Sequence, residues 1–145
     1  MGLNPVRVYW DSCIAIYYVE RHPLFFPYIR DRLISATGTE PAVVLSDLTR
    51  LECRVYPICS SNDLLLARFD EFFGLPDLEW VIMNRQVFDL ATDFRARFGL
   101  KTPDALHLAT AIHYGCHEFW TNDFRLQSAA AGRLNIINPI QPPQQ

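Results

Sequence analysis

Four acidic residues stand out by their surroundings. Asp11 abruptly ends the run Val6-Arg7-Val8-Tyr9-Trp10, Glu52 falls among apolar positions, Asp104 follows Thr102-Pro103, and Asp123 lies just past the apolar stretch ending at Trp120. A carboxylate among apolar positions is expensive unless it is paired. Carboxylates that gather also repel one another, by roughly 3 kcal/mol for two that are ~5 Å apart at an effective dielectric near 20. A fold keeps such a cluster where a cation fills it. Donors that are all oxygen select hard cations, so Mg²⁺ is expected, with Mn²⁺ as a substitute, and Zn²⁺ is not. A hydrated Mg²⁺ held by carboxylates suits phosphodiester hydrolysis: it activates water, neutralises the phosphate and stabilises the leaving oxygen.

Each acid also has a plainer reading. Asp11 at a strand end and Asp123 in Thr-Asn-Asp-Phe suit caps and turns. Asp104 in a first helical turn complements the helix dipole. Glu52 has the weakest alternative. His107 is three residues past Asp104; because a metal activates water without it, a structural or partner-contact role is expected. His113 and His117 are four apart, but Gly115 ends the helix between them, which speaks against a shared metal face.

The elements must bring these acids together. Val6 to Trp10 reads as a buried strand. Ser12 is expected to cap a helix over Cys13 to Val19, and Pro23 to sit in the first turn of a second one running to about Ser35. Thr37-Gly38-Thr39 reads as a loop. Ala42 to Leu45 is a strand, followed by a helix through Leu48, Leu51, Glu52 and Val55 with Ser46 or Asp47 as cap. A helix over Asn62 to Phe73 closes at Gly74, and Leu78 to Met83 is a third strand. Asn84 caps a helix that ends at Gly99. Thr102 caps the helix carrying Asp104, with Pro103 in its first position. Glu118 to Thr121 and Leu134 to Asn138 are the last strands. Strands alternating with helices predict a parallel sheet covered on both faces. In such sheets ligands bind outside the carboxyl ends of the strands, where right-handed crossovers also start their helices. All four acids map to that edge.

The 145 residues suit one domain, expected over 1–139, with a frayed tail over 140–145. Half of the residues are hydrophobic and the net charge is −3, which excludes a globally basic nucleic-acid coat. Positive charge is almost all arginine, with Lys101 the single lysine. Arg50, Arg54, Lys101 and Arg125 flank the acidic motifs and are candidates to steer phosphates. The cysteines, Cys13, Cys53, Cys59 and Cys116, show no zinc-like spacing and read as free thiols of a reducing compartment. With no secretion signal at the N-terminus and no span for a bilayer, a cytoplasmic protein without membrane contact is expected. The aromatic run Tyr17, Tyr18, Phe25, Phe26 and Tyr28 is either core or a partner surface.

Four segments together resemble the PIN-domain pattern. They are Asp11-Ser12 after a hydrophobic strand, Leu-Ser-Asp-Leu-Thr-Arg-Leu-Glu ending at Glu52, Lys-Thr-Pro-Asp-Ala-Leu-His-Leu-Ala-Thr-Ala (101 to 111), and Trp-Thr-Asn-Asp-Phe (120 to 124). The ending Leu-Asn-Ile-Ile-Asn-Pro is similar to the family's last strand. More narrowly, the chain resembles VapC-like toxin ribonucleases of type II toxin–antitoxin systems. The resemblance implies a three-layer α/β/α sandwich with a roughly five-stranded parallel sheet. It implies an endoribonuclease cleaving RNA with metal-activated water, a homodimer, and an antitoxin partner that blocks the site, often with an arginine. It carries Asp11, Glu52, Asp104 and Asp123 over as catalytic and metal-holding acids. Of these, Asp11 and Asp104 are direct ligands, and Glu52 and Asp123 act partly through water. Ser12 and Thr121 match polar positions that line the site. Cys13 departs from the pattern, which favours a small or hydroxyl residue there, and raises the expectation of oxidation sensitivity.

Other function classes fit less well. A catalytically silent PIN-like interaction module has no reason to keep four repelling acids. A haloacid-dehalogenase-like phosphatase wants a second Asp where Cys13 stands. A dinucleotide-binding protein wants GxGxxG after the first strand.

Overall fold

Five short apolar runs form the strands of the computed structural model, which describes residues 5–34 and 40–140. In chain order they are β1 (Arg7–Trp10), β2 (Ala42–Ser46), β3 (Glu79–Val81), β4 (Glu118–Trp120) and β5 (Asn135–Ile137). They pair in the order β3-β2-β1-β4-β5, every pair parallel. The helices between them are α1 (Ser12–Val19), α2 (Phe26–Leu33), α3 (Asp47–Cys59), α4 (Asp63–Phe73), α5 (Arg85–Phe98), α6 (Thr102–His113) and α7 (Gln127–Ala130).

Alternate strand residues face opposite layers, as the pleat demands. Val8, Trp10, Val43, Leu45 and Trp120 pack against Ile14 of α1, Ile29 of α2, Cys53 of α3 and Phe69 and Phe72 of α4. Tyr9, Val44 and Phe119 pack against Val87 and Phe94 of α5, Leu108 of α6 and Ala129 of α7. The result is the three-layer α/β/α sandwich that the alternation predicts. Helices α5 and α6 lie antiparallel. Asn84 Nδ2 meets His113 Nε2 at one end, and Arg95 donates to Thr102 Oγ1 at the other.

Several boundaries differ from the sequence expectation. Asp11, not Ser12, caps α1. Helix α2 begins at Phe26, with Pro27 rather than Pro23 in its first turn. The His22 ring shapes that entry, its Nδ1 accepting from the Leu24 and Phe25 N–H groups. Thr102 is the first residue of α6 and Lys101 its cap, because the Thr102 hydroxyl is taken by Arg95. Helix α3 runs across Pro57 to Cys59. Asn84 caps α5 as expected, and Gly99 ends it at φ 68°, a left-handed conformation that costs glycine nothing. Ile140 packs against the core rather than fraying. The expected loop at Thr37-Gly38-Thr39, the end of the second helix at Ser35, and the tail beyond Ile140 lie outside the described residues.

Most of the aromatic run is used internally. Trp10 takes Tyr18 edge-on at 5.3 Å between ring centres, Tyr18 lies against Phe26, and Tyr17 meets Phe25 at 4.9 Å. Tyr28 is the exposed member. Among the described residues no helix is long and apolar enough to cross a membrane.

Candidate functional site

The strand order places the site. From β1 the chain builds outward through β2 to β3, then crosses back to lay β4 on the other side of β1. The crevice outside the carboxyl ends of β1 and β4 is therefore the switch point, where ligands of such sheets bind. Asp11 leaves β1 there, its N–H still on Trp120 O at 3.0 Å. Thr121, Asn122 and Asp123 leave β4 beside it.

Thr121 joins the two strand ends. Its buried hydroxyl donates to Asp11 Oδ2 at 2.8 Å and accepts the Asp123 N–H at 3.1 Å. Asp11 Oδ1 accepts the Ser12 N–H at 2.8 Å. Asp123 is held by Arg125, whose Nε and Nη2 reach its two oxygens at 2.9 and 2.7 Å. That guanidinium keeps the Asp123 carboxyl below the usual range, against a smaller opposing effect of burial.

Asp104 is different. Among the described residues, no side chain or backbone group donates to its carboxylate. Burial first, then the negative charges of Asp11 and Asp123, push its pKa up from the ordinary 3.8. Asp104 thus lies within the fields of Asp11 and Asp123, and the charge of Arg125 offsets that repulsion only in part.

Glu52 stands slightly apart from them. Its Oε1 accepts from Ser12 Oγ at 2.8 Å and lies 2.5 Å from His107 Nε2. Burial raises its pKa, but the hydrogen bonds from His107 and Ser12 outweigh that and leave it lowered. His107 is fully buried, and its Nδ1 meets Tyr9 OH at 2.7 Å.

All eight of these oxygens are hard donors, which suits a hydrated Mg²⁺ or Mn²⁺. Among the described residues, no three His, Cys, Asp or Glu side chains gather closely enough to enclose an ion. Mg²⁺ keeps several waters and needs only one or two carboxylates. The unpaired Asp104, beside Asp11 and Asp123, fits that demand.

The flanking residues separate. Arg54 pairs with Asp70 on α4, away from the acids, and Arg50 is exposed. Lys101 and Arg125 do act on the cluster: both lower Asp123 by their charge. His113 and His117 have separate partners, Asn84 and the Arg7 N–H. Cys13 donates to Asn122 Oδ1, and burial, helped by the Asp11 charge, pushes its thiol up to about 12. A protonated thiol is a poor target for oxidation, which speaks against the expected oxidation sensitivity. The sequence reading missed Tyr9 and Asn122. The alternation of β1 is the signal for Tyr9, since it sets that residue apart from Val8 and Trp10 and turns it towards α6.

A comparison with curated proteins finds no match. Solved structures do resemble this fold. A toxin–antitoxin complex from Klebsiella pneumoniae superposes with a TM-score of 0.67 at 20% identity, over 91% of this chain and 97% of that one. VapBC2 from Rickettsia felis, bound to a promoter DNA fragment, gives 0.69 at 16% identity over 91% and 98%. FitAcB from Neisseria gonorrhoeae gives 0.71 at 18% identity over 91% and 97%. At these identities the likeness is one of fold. The family profile described as PIN domain matches residues 8–132, most of the sequence. The chain belongs to the PIN domain family.

Proposed function

We propose that this protein is a Mg²⁺-dependent endoribonuclease, the toxin of a type II toxin–antitoxin pair. The observation that carries this reading is the unpaired, half-buried Asp104 carboxylate, destabilised by Asp11 and Asp123 at the switch point between β1 and β4. An arrangement of that kind costs stability unless a cation relieves it. PIN domains are generally nucleases, which supports hydrolysis of a nucleic-acid backbone.

In this reading Asp11 and Asp104 would hold the metal directly, and Glu52 and Asp123 would act on it partly through water. When bound, the metal supplies an activated water and neutralises the phosphate. The chain's own residues do the rest. Thr121 fixes the Asp11 carboxylate by its hydrogen bond, and Ser12 fixes Glu52. Arg125 is the exposed cation nearest the acids and offers a contact for the phosphate backbone. Residues 1–139 act as one nuclease domain, in the cytoplasm. Leu51, Val55 and Ile58 expose an apolar stripe along α3 that supports a homodimer. The toxin–antitoxin complexes among the similar structures support an antitoxin partner.

A second reading, a PIN-like module that binds a partner without catalysis, draws on one observation. Asp123 and Glu52 are already paired within the chain, with Arg125 and His107. One experiment separates the two. Labelled single-stranded RNA is incubated with the purified protein in Mg²⁺ or Mn²⁺, in chelator, and with Asp11→Asn. Cleavage is expected only for the wild type with metal. Cleavage that persists in chelator or in Asp11→Asn would sink the assignment, and no cleavage in any arm favours the binding module.

A further inference from the structure

We infer that His107 is a positioning residue: its Nε2–H holds Glu52, and Tyr9 braces the other ring nitrogen. The inference rests on the nuclease reading for what Glu52 is positioned to do. The geometry of the hold is independent of it.

Helices α3 and α6 cover opposite faces of the sheet, so Glu52 and His107 reach each other only over its carboxyl edge. The proton positions follow from chemistry. An ionised carboxylate only accepts, so the nitrogen 2.5 Å from Glu52 Oε1 must carry a hydrogen. In the neutral ring Nδ1 is then an acceptor, and Tyr9 OH at 2.7 Å donates to it. The Tyr9 oxygen is also 2.7 Å from Ser46 Oγ, which donates in turn. Ser46, Tyr9 and His107 form a buried line of donors that all point towards Glu52. The opposite tautomer would set a nitrogen lone pair against the carboxylate and leave the Tyr9 O–H without that acceptor.

The line ends on one oxygen. Ser12 Oγ also donates to Oε1, and it lies 3.4 Å from His107 Nε2, so the three groups form a triangle. Among the described residues nothing donates to Oε2. Glu52 is thus held by one oxygen and offers the other. Groups that orient a ligand from behind in this way cost about 10–100-fold in metal affinity or activity when removed.

The test compares wild type, His107→Leu, His107→Gln and Tyr9→Phe. Three quantities are read: Mn²⁺ affinity by electron paramagnetic resonance, the melting temperature without metal, and the imidazole ¹⁵N shifts. His107→Leu is expected to weaken Mn²⁺ binding by about 10–100-fold. His107→Gln, which keeps an N–H for Glu52, should recover part of that loss. Tyr9→Phe should give a smaller loss than His107→Leu. It removes a single oxygen, so it reads the same network if His107→Leu does not fold. The nitrogen shifts should show Nε2 protonated in the wild type. Variants that melt lower but bind Mn²⁺ as the wild type does would reduce His107 to a helix tether and overturn the inference. So would a ring protonated only at Nδ1. A wild-type protein that binds no Mn²⁺ would instead refute the nuclease reading, and the ¹⁵N shifts, which need no metal, would still decide the hold on Glu52.

Discussion

Asp104→Asn should make the metal-free protein more stable. The wild-type carboxylate is half-buried, has no hydrogen-bond donor among the described residues, and feels the charges of Asp11 and Asp123. As a general scale, two like charges ~6 Å apart repel by about 0.7 kcal/mol in water and about 2.8 kcal/mol at an effective dielectric of 20. All three groups keep contact with solvent, so the lower part of that range applies. Arg125 also offsets the charge of Asp123, leaving Asp11 as the main repulsive neighbour. Against this gain stands the loss of a favourable charge in the first turn of α6, about 0.3–1 kcal/mol. The net expectation is a gain of up to about 1 kcal/mol, or up to about 4 °C in melting temperature for a chain of this size.

The pH dependence carries a sign of its own. Because the folded state raises the pKa of Asp104 above 3.8, the stability tied to its protonated form is complete below that value. It is lost as pH rises through the folded value. Wild type and Asp104→Asn should therefore melt nearly alike at about pH 3 and diverge by neutrality. With saturating Mg²⁺ the wild type gains stability from binding, and the gap should close or reverse. The assay is thermal denaturation in chelator at both pH values, repeated with Mg²⁺ at neutrality. A lower melting temperature for the variant in chelator at neutral pH would mean that Asp104 serves α6 as a helix-start residue. An equal gap at both pH values would mean that charge is not the cause. Either result defeats the repulsion argument.

Glu52→Gln should act in the opposite direction, although it touches the same site. Its folded pKa lies below 4.5, so its contribution is present above that value and is lost as pH falls through the folded one. The charge-assisted bond from His107, discounted for partial exposure, is worth about 1–2 kcal/mol. A lower urea midpoint at neutral pH is expected, and an unchanged or higher one would contradict the pairing. Iodoacetamide at mildly alkaline pH should label the exposed Cys59 well before Cys13, whose thiol is held protonated. Peptide mass spectrometry reads the order, and equal rates would refute the assigned environment of Cys13.

Much of the fold was legible in local pattern. The β-branched and aromatic runs, the capping Asn84 and the left-handed Gly99 mark element types and ends, because each works through neighbours a few residues away. Boundaries slipped where a side chain had a distant competitor. Thr102 looks like a cap until Arg95, seven residues earlier, takes its hydroxyl. Pro23 looks like a helix start until the His22 ring orders the turn before Phe26.

The identity of the four acids, and their place at one edge of a parallel sheet, could be read from residue types and from the alternation of strands with helices. Their individual states could not. Which acid is relieved and which stays strained depends on hydrogen bonds a few tenths of an ångström wide in tolerance. Those bonds join residues far apart in the chain: Thr121 to Asp11, and His107 to Glu52. No periodicity encodes such pairings. They arise when packing of the two helical layers fixes where each side chain ends. Residue types and element order therefore supplied the four acids as candidates, and tertiary packing left Asp104 without a hydrogen-bond donor and tethered Glu52 to His107.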